Sequence, residues 1–208
     1  MSLLCWNVRG LGNQRTENQL TEIMWAKDPS VVFLAEAWTD EDRLIRIQDR
    51  LQFKHRFAVH RTRKAGGLVL FWKENFKLDV QTFSKYHIDA KINQNTDEEW
   101  RFTDFYGEPD TNKRHEAWNK LRRLRNRGSS TWICAGDFNE ITRQSEKIGG
   151  RGRPHNQMQP FRELFLRAWL PTAQYLLGDW TSGFHFGQGR VALRTTSPAC
   201  CDQPSSSA

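Results

Sequence analysis

The sequence predicts an α/β fold, and three features carry that expectation. Two apolar runs early in the chain, residues 3–6 and 31–35, are separated by a segment of helical spacing. The middle of the chain alternates apolar and polar residues at period two. A further apolar run, residues 132–135, stops abruptly at Gly136-Asp137-Phe138-Asn139-Glu140. Apolar runs without alternation fit strands buried on both faces, period two fits half-buried strands, and helical spacing fits elements laid against a sheet.

The elements follow in order. Leu3, Leu4, Cys5 and Trp6 form a buried strand ending in Asn7-Val8-Arg9-Gly10, and Gly12 and Asn13 mark a loop. Leu20, Ile23 and Met24 predict a helix over 17–27, stopped by Asp28-Pro29-Ser30. Val31 to Ala35 is the second buried strand, with Glu36 at its carboxyl end. Leu44, Ile47 and Leu51 predict a second helix over 40–51. Phe53, His55, Phe57 and Val59 alternate with polar neighbours, and a basic loop, residues 60–64, leads through a Gly66-Gly67 turn into a strand over 68–72. Alternation at Leu78, Val80 and Thr82, then at Ile88, Ala90 and Ile92, and again over 100–106 predicts hairpin-connected strands.

Gly107-Glu108-Pro109-Asp110 interrupts the pattern, and Trp118, Leu121 and Leu124 define one face of a helix over 112–126. Lys113, Arg114, Lys120, Arg122, Arg123, Arg125 and Arg127 stand on this segment against the single acid Glu116, which fits either a solvated helix face or a contact to a polyanion. The loop 143–157 carries Lys147, Arg151, Arg153 and His155, and loops of this length are commonly functional. Met158, Phe161, Leu164, Phe165 and Ala168 predict a last helix. Residues 183–186 fit a strand, and the end of the chain, TTSPACCDQPSSSA, has the composition of a disordered tail. The expected organisation is one domain over 1–190 and a tail over 191–208.

Composition narrows the function classes. A chain of 208 residues buries roughly 70% of the surface exposed by its unfolded form, so a full core needs no staples. No run approaches the roughly eighteen apolar residues of a membrane span, and MSLLCWNVRG passes into polar sequence without the pattern of a signal peptide. The four cysteines show neither zinc spacing nor a disulfide framework, which fits a reducing, intracellular compartment. Lys and Arg exceed Asp and Glu by 31 to 24, a net charge of +7 that favours a polyanionic partner such as DNA.

Three predicted buried strands end in Asn7, in Glu36 and in the pair Asp137 and Asn139. In sheet proteins such ends gather at one rim, and residues i and i+2 of a strand share a face. Carboxylates and carboxamides without His or Cys suit a hard divalent ion such as Mg2+, held by one or two carboxylates plus substrate phosphate. Phosphodiester cleavage uses that set: a metal to neutralise phosphoryl charge, a carboxylate to take a proton from water, and an Asn or Tyr donor on the phosphate oxygens.

Asn7 in CWNVRGLGN, Glu36 in FLAEAW, Tyr106 in DFYGEP and GDFNE at 136–140 together resemble the endonuclease/exonuclease/phosphatase superfamily, with its DNase-I-like fold. More narrowly, NVRGLGN, GGLVLFW, the FYG turn, GDFNE and EKIGG followed by QMQPFRELF resemble the endonuclease domain of plant LINE-type (non-LTR) retrotransposons, over about residues 2–170. The resemblance implies a four-layer α/β/β/α sandwich of two mixed sheets flanked by helices. It implies Mg2+, with Mn2+ the other ion of that class, no small organic cofactor, a DNA partner and a nuclear location. Glu36 is then the direct metal ligand and Asn7 belongs to the metal pocket. Asp137 orients or deprotonates water, or protonates the leaving oxygen, and Asn139 and Tyr106 contact the scissile phosphate. Arg9, Lys147, Arg151 and Arg153 are the expected nucleic-acid contacts. The family's terminal Ser-Asp-His is not found in the sequence, and His185 does not replace it by spacing. The expectation is therefore a fold incomplete at its C-terminus and a nuclease of weak or no activity. A non-catalytic nucleic-acid-binding remnant, and an AP endonuclease or phosphatase of the same superfamily, are the alternatives.

Overall fold

Leu3–Asn7 (β1) and Val31–Ala35 (β2) pair in parallel, with the helix Gln14–Lys27 (α1) as their crossover. The helix Glu41–Arg50 (α2) then leads to His55–Val59 (β3) and Leu68–Trp72 (β4), which complete a mixed sheet of order β1-β2-β4-β3. Leu78–Ser84 (β5), His87–Ile92 (β6) and Trp100–Tyr106 (β7) form an antiparallel meander. After the helix Arg114–Arg125 (α3), Thr131–Asp137 (β8) joins β7 in parallel, and the helix His155–Trp169 (α4) follows. Ala173–Leu176 (β9) and Ala192–Thr195 (β10) extend this sheet to the order β5-β6-β7-β8-β10-β9. This computed structural model describes residues 3–60, 67–127, 131–147, 152–169, 173–176 and 192–195. Among them no helix is long and apolar enough to cross a membrane.

Strand periodicity sorts the side chains into three cores, and so into four layers. In β2, Val32 and Leu34 face α1 and α2, packing with Leu20, Ile23, Leu44 and Ile47, while Val31, Phe33 and Ala35 face the second sheet. In β8, Trp132 and Cys134 face α3 and α4 beside Trp118, Leu121, Leu124 and Phe161, while Ala135 faces the first sheet. The layers are helices, a mixed sheet, a mixed sheet and helices, as the resemblance implies.

Several boundaries differ from expectation for identifiable reasons. Helix α1 begins three residues early because the Asn13 side chain caps it, accepting from the Arg15 N–H at 2.9 Å. Phe53 lies before β3 and stacks on Phe71 with centroids 5.8 Å apart. A separate 3-10 turn, Thr111–Lys113, precedes α3. Residues 192–195, assigned by composition to the tail, are strand β10 between β8 and β9. A ladder needs only backbone N–H and C=O groups, so β8 accepts this short strand on the side away from β7. Residues 183–186 and 196–208 lie outside the described residues.

Arg114 is also not on the solvent face of α3. It is buried and pairs with the buried Glu140, while its Nε donates to the Glu108 carbonyl at 3.1 Å. A second buried network lies under the same helix: Arg101 bonds Asp89 at 2.9 Å, and its Nη1 donates to the Leu124 carbonyl at 2.7 Å, capping the end of α3. His87, fully buried nearby, has its pKa pushed down to about 3 by burial and by Lys120, Arg127 and Arg101.

Between the sheets lies one acid without a cationic partner. Asp104 on β7 is fully buried, accepts from the Cys5 thiol at 3.0 Å, and its Oδ2 has no hydrogen bond. Burial pushes its pKa well up, and the Cys5 bond only partly opposes this. The folded protein therefore holds Asp104 protonated where the unfolded chain ionises it, so its stability falls as pH rises above the unfolded value of 3.8. Asp104→Asn removes that loss. Thermal melts are expected to show the variant more stable than the parent at pH 7, with the difference shrinking as pH falls toward 4, by up to about ten-fold in the folding equilibrium per pH unit. His87 acts in the opposite sense, losing stability as pH falls from 6.5 toward about 3, but equally in both proteins. A difference independent of pH would show that Asp104 is ionised in the fold.

Candidate active site

The two parallel strand pairs, β1/β2 and β7/β8, lie in different sheets, and their carboxyl ends meet at one rim. In β1 the residues Leu3 and Cys5 pack toward the second sheet, so Asn7 at the same period does too. Tyr106 follows Phe102 on the matching face of β7, and Asp137 follows Ala135 on that of β8. Tyr106 and Asp137 are direct register partners, and Asn7 pairs with Ala35, one residue before Glu36.

These side chains touch. The Asn7 Nδ2 donates to Glu36 Oε1 at 2.8 Å and to Asp137 Oδ2 at 3.1 Å, one amide joining two carboxylates from opposite sheets. The Tyr106 hydroxyl donates to the same Glu36 Oε1 at 2.5 Å. Asp137 Oδ1 accepts the Asn139 N–H at 3.0 Å, closing an Asx turn, and the Asn139 side-chain amide donates to the Gly107 carbonyl at 2.7 Å. Burial, reinforced by the Glu36 hydrogen bond and charge, drives the Tyr106 pKa above the ordinary phenol range. Tyr106 is thus held as a neutral O–H donor well beyond the pH at which an ordinary phenol ionises.

The backbone beneath the site is locked. Glu36 has φ 57° and Asn139 φ 54°, left-handed conformations that cost a non-glycine residue about 1–2 kcal/mol, less for Asn. The loop after β1 holds the Glu36 turn, since Gly10 N donates to the Glu36 carbonyl and Leu11 N to the Ala37 carbonyl, each at 2.7 Å. On the other sheet, Gly107 N donates to the Asp137 carbonyl at 2.7 Å. Gly136, at φ 134°, lets β8 close on β7, where a Cβ would lie 2.0 Å from the Phe105 carbonyl oxygen. Phe105 and Phe138 then stack at 5.5 Å beneath the site.

The donor set fits a hard divalent ion. Among the described residues no three His, Cys, Asp or Glu side chains gather. Two carboxylates with an amide beside them nevertheless match the small protein share of a Mg2+ sphere. Both bonds to Glu36 fall on Oε1, and among the described residues none falls on Oε2, which leaves that oxygen to face a cation.

The structure brings Asn7, Glu36, Tyr106, Asp137 and Asn139 together, and it distributes the expected nucleic-acid contacts differently. Arg9 is exposed at the rim with φ 49°, and its N–H donates to Asn7 Oδ1 at 3.2 Å. Arg153 turns inward: its Nε is 3.1 Å from Glu140 Oε1, an ion pair short of hydrogen-bond geometry, and its Nη2 donates to the Asn139 carbonyl at 3.4 Å. It therefore ties the loop after β8 to the site. Lys147 follows the 3-10 turn Gln144–Glu146, and Arg151 lies outside the described residues. Sequence reasoning missed the Glu140–Arg114–Arg153 cluster, for which the acid ending GDFNE was the available signal.

Replacing Tyr106 by Phe tests its protonation directly. In an alkaline absorbance titration, the buried phenols of Tyr86 and Tyr106 are expected to ionise only on unfolding. Tyr106→Phe is expected to remove one phenol from that late step and leave the earlier amplitude unchanged. Loss from the earlier step would mean Tyr106 titrates in the folded protein.

Comparison with known proteins gives the family and the fold. The model of the Endonuclease/Exonuclease/phosphatase family matches residues 4–193. No curated protein matches the sequence. Solved structures of similar fold include the endonuclease domain of TRAS1, a telomere-specific non-LTR retrotransposon, at 15% identity and TM-score 0.58, covering 95% of this chain and 84% of that one. An AP endonuclease from Archaeoglobus fulgidus aligns at 12% identity and TM-score 0.65, covering 94% and 86%. A 3′ phosphatase from Neisseria, solved with a product DNA hairpin, aligns at 14% identity and TM-score 0.62, covering 96% and 87%. At such identities the likeness is one of fold.

Proposed function

The chain belongs to the endonuclease/exonuclease/phosphatase family, and we propose that within it this protein is a Mg2+-dependent phosphodiesterase that nicks DNA, the endonuclease module of a LINE-type retrotransposon acting in the nucleus. The observation that carries the reading is the Asn7 amide, which holds Glu36 and Asp137 together at the rim where both sheets end. The motifs of the sequence, the fold shared with a retrotransposon endonuclease and the net charge of +7 support DNA as substrate.

Glu36 and Asn7 would hold the ion, which when bound would supply neutralisation of charge on the phosphoryl oxygens. Asp137 is the proton-transfer group in this reading. Its Oδ1 and Oδ2 each accept one N–H, so the carboxylate is oriented, and it takes the proton of an attacking water on the phosphate side of the rim. The second Nδ2–H of Asn139, beside the one given to Gly107, is a donor for the phosphate oxygens, and Tyr106, kept neutral, becomes another when its O–H turns from Glu36 to the substrate.

A plasmid-nicking assay tests this, with the purified chain in Mg2+ and in EDTA beside Asp137→Ala. Weak nicking is expected in Mg2+ and none in EDTA, and Asp137→Ala is expected to slow it by roughly 10²–10⁴-fold, the usual contribution of a general acid or base. Plain duplex, abasic duplex and a small phosphoester run in parallel identify the substrate class. Absence of nicking by the folded parent, or nicking indifferent to Asp137, would overturn the proposal.

A further inference from the structure

Trp38, two residues beyond Glu36 in the chain, is 42% exposed. At most about 7 Å of chain separates it from the proposed metal ligand. Its position is built into the fold. Trp38 has φ 41°, and Gly67, at φ 76°, packs against the turn: a Cβ there would lie 3.2 Å from Trp38 N and 3.3 Å from Trp38 Cδ1. The Gly67 carbonyl accepts the Ala37 N–H at 2.8 Å.

The indole is one wall of a cleft of ≈ 380 Å³, lined also by Gly12, Thr39, Asp40 and Arg43. The charges of this cleft are engaged within the protein. Arg43 Nε donates to Glu17 at 2.5 Å, and the Asp40 carboxylate accepts the Arg43 N–H at 2.8 Å. With its cation turned to Glu17 and a carboxylate on its wall, the cleft disfavours phosphate. An aromatic face, a threonine and exposed backbone suit instead a neutral planar ring with polar edges.

Resting on the phosphodiesterase reading, we propose that Trp38 is a stacking platform for the nucleobase of a nucleotide next to the scissile phosphate. Base–aromatic stacking is indifferent to base identity but requires the base to leave its own stack. Trp38 therefore selects for local deformability: sites that unstack easily, such as pyrimidine–purine steps, mismatches or single strands, are the favoured substrates. It is a specificity residue and takes no part in proton transfer.

The test measures affinity in EDTA, where no cleavage is required, for oligonucleotide duplexes carrying one abasic analogue moved a nucleotide at a time across the nicked region. Wild type, Trp38→Ala and Trp38→Phe are compared. At one nucleotide, loss of the base is expected to weaken the wild type by about 5- to 150-fold, to cost Trp38→Ala nothing further, and to cost Trp38→Phe an intermediate amount. Base removal that costs all three proteins the same at every nucleotide would overturn the platform, even if wild type nicks DNA in Mg2+. Coupling to Trp38 without any nicking would leave the platform standing and overturn the nuclease reading. No DNA binding by the folded wild type would overturn the platform, and nicking in Mg2+ would then decide the nuclease reading separately.

Discussion

The side-chain amide of Asn7 is the contact on which the site depends, because it ties carboxylates of both sheets together, where Cys5–Asp104 and Tyr106–Glu36 each make a single polar link between them. Its two N–H groups point to carboxylates from different layers, Glu36 after β2 and Asp137 at the end of β8. Two carboxylates this close repel, and a shared donor lowers that cost while aiming both at one place. Everything else at the rim refers to that pair. Tyr106 adds a second donor to Glu36, and Asn139 fixes the other oxygen of Asp137.

The frame supporting this contact is stiff because it is assembled from close backbone approaches. The loop after β1 is zipped to the Glu36 turn by the amides of Gly10 and Leu11, and β7 and β8 interlock through the Gly107 and Asp137 main chains. Left-handed residues cluster here, at Arg9, Glu36, Trp38 and Asn139. Such conformations persist only where the surroundings over-determine them, and they are commonly found at sites that need preorganised geometry. The stacked rings of Phe105, Phe138 and Phe161, with Trp118, make the rigid bed under that half of the site.

The positive charge of the chain is divided between interior and surface in a way that net charge does not reveal. Arg101 and Arg114 are buried and satisfy Asp89, Glu140 and main-chain carbonyls around α3, and Arg153 fastens the loop beyond Asn139. Removing one partner of such a pair leaves an uncompensated buried charge, so these residues act through the fold. Arg9 and the outer face of α3 carry exposed charge, as do Arg15, Lys27, Arg46 and Lys54 elsewhere on the surface.

Periodicity made the secondary elements legible in the sequence, since burial on one or both faces of a strand is a local pattern. Apolar runs at 31–35 and 132–135, alternation from β5 to β7, and the i, i+2 relation at strand ends were enough to select Asn7, Glu36, Asp137 and Asn139 as residues that could share a rim. The motifs around them also carried the family. What only the tertiary structure decided is partnership across long sequence separation: that Asn7 meets Asp137 at a separation of 130 residues, that Arg153 turns to Glu140, and that Asp104 faces the inter-sheet core beside Cys5. It also decided that Trp38 stands exposed beside Glu36 and that residues 192–195 pair with β8. Local pattern reports which face a side chain occupies. What stands opposite that face is set by sheet order and layer stacking, which are properties of the whole chain.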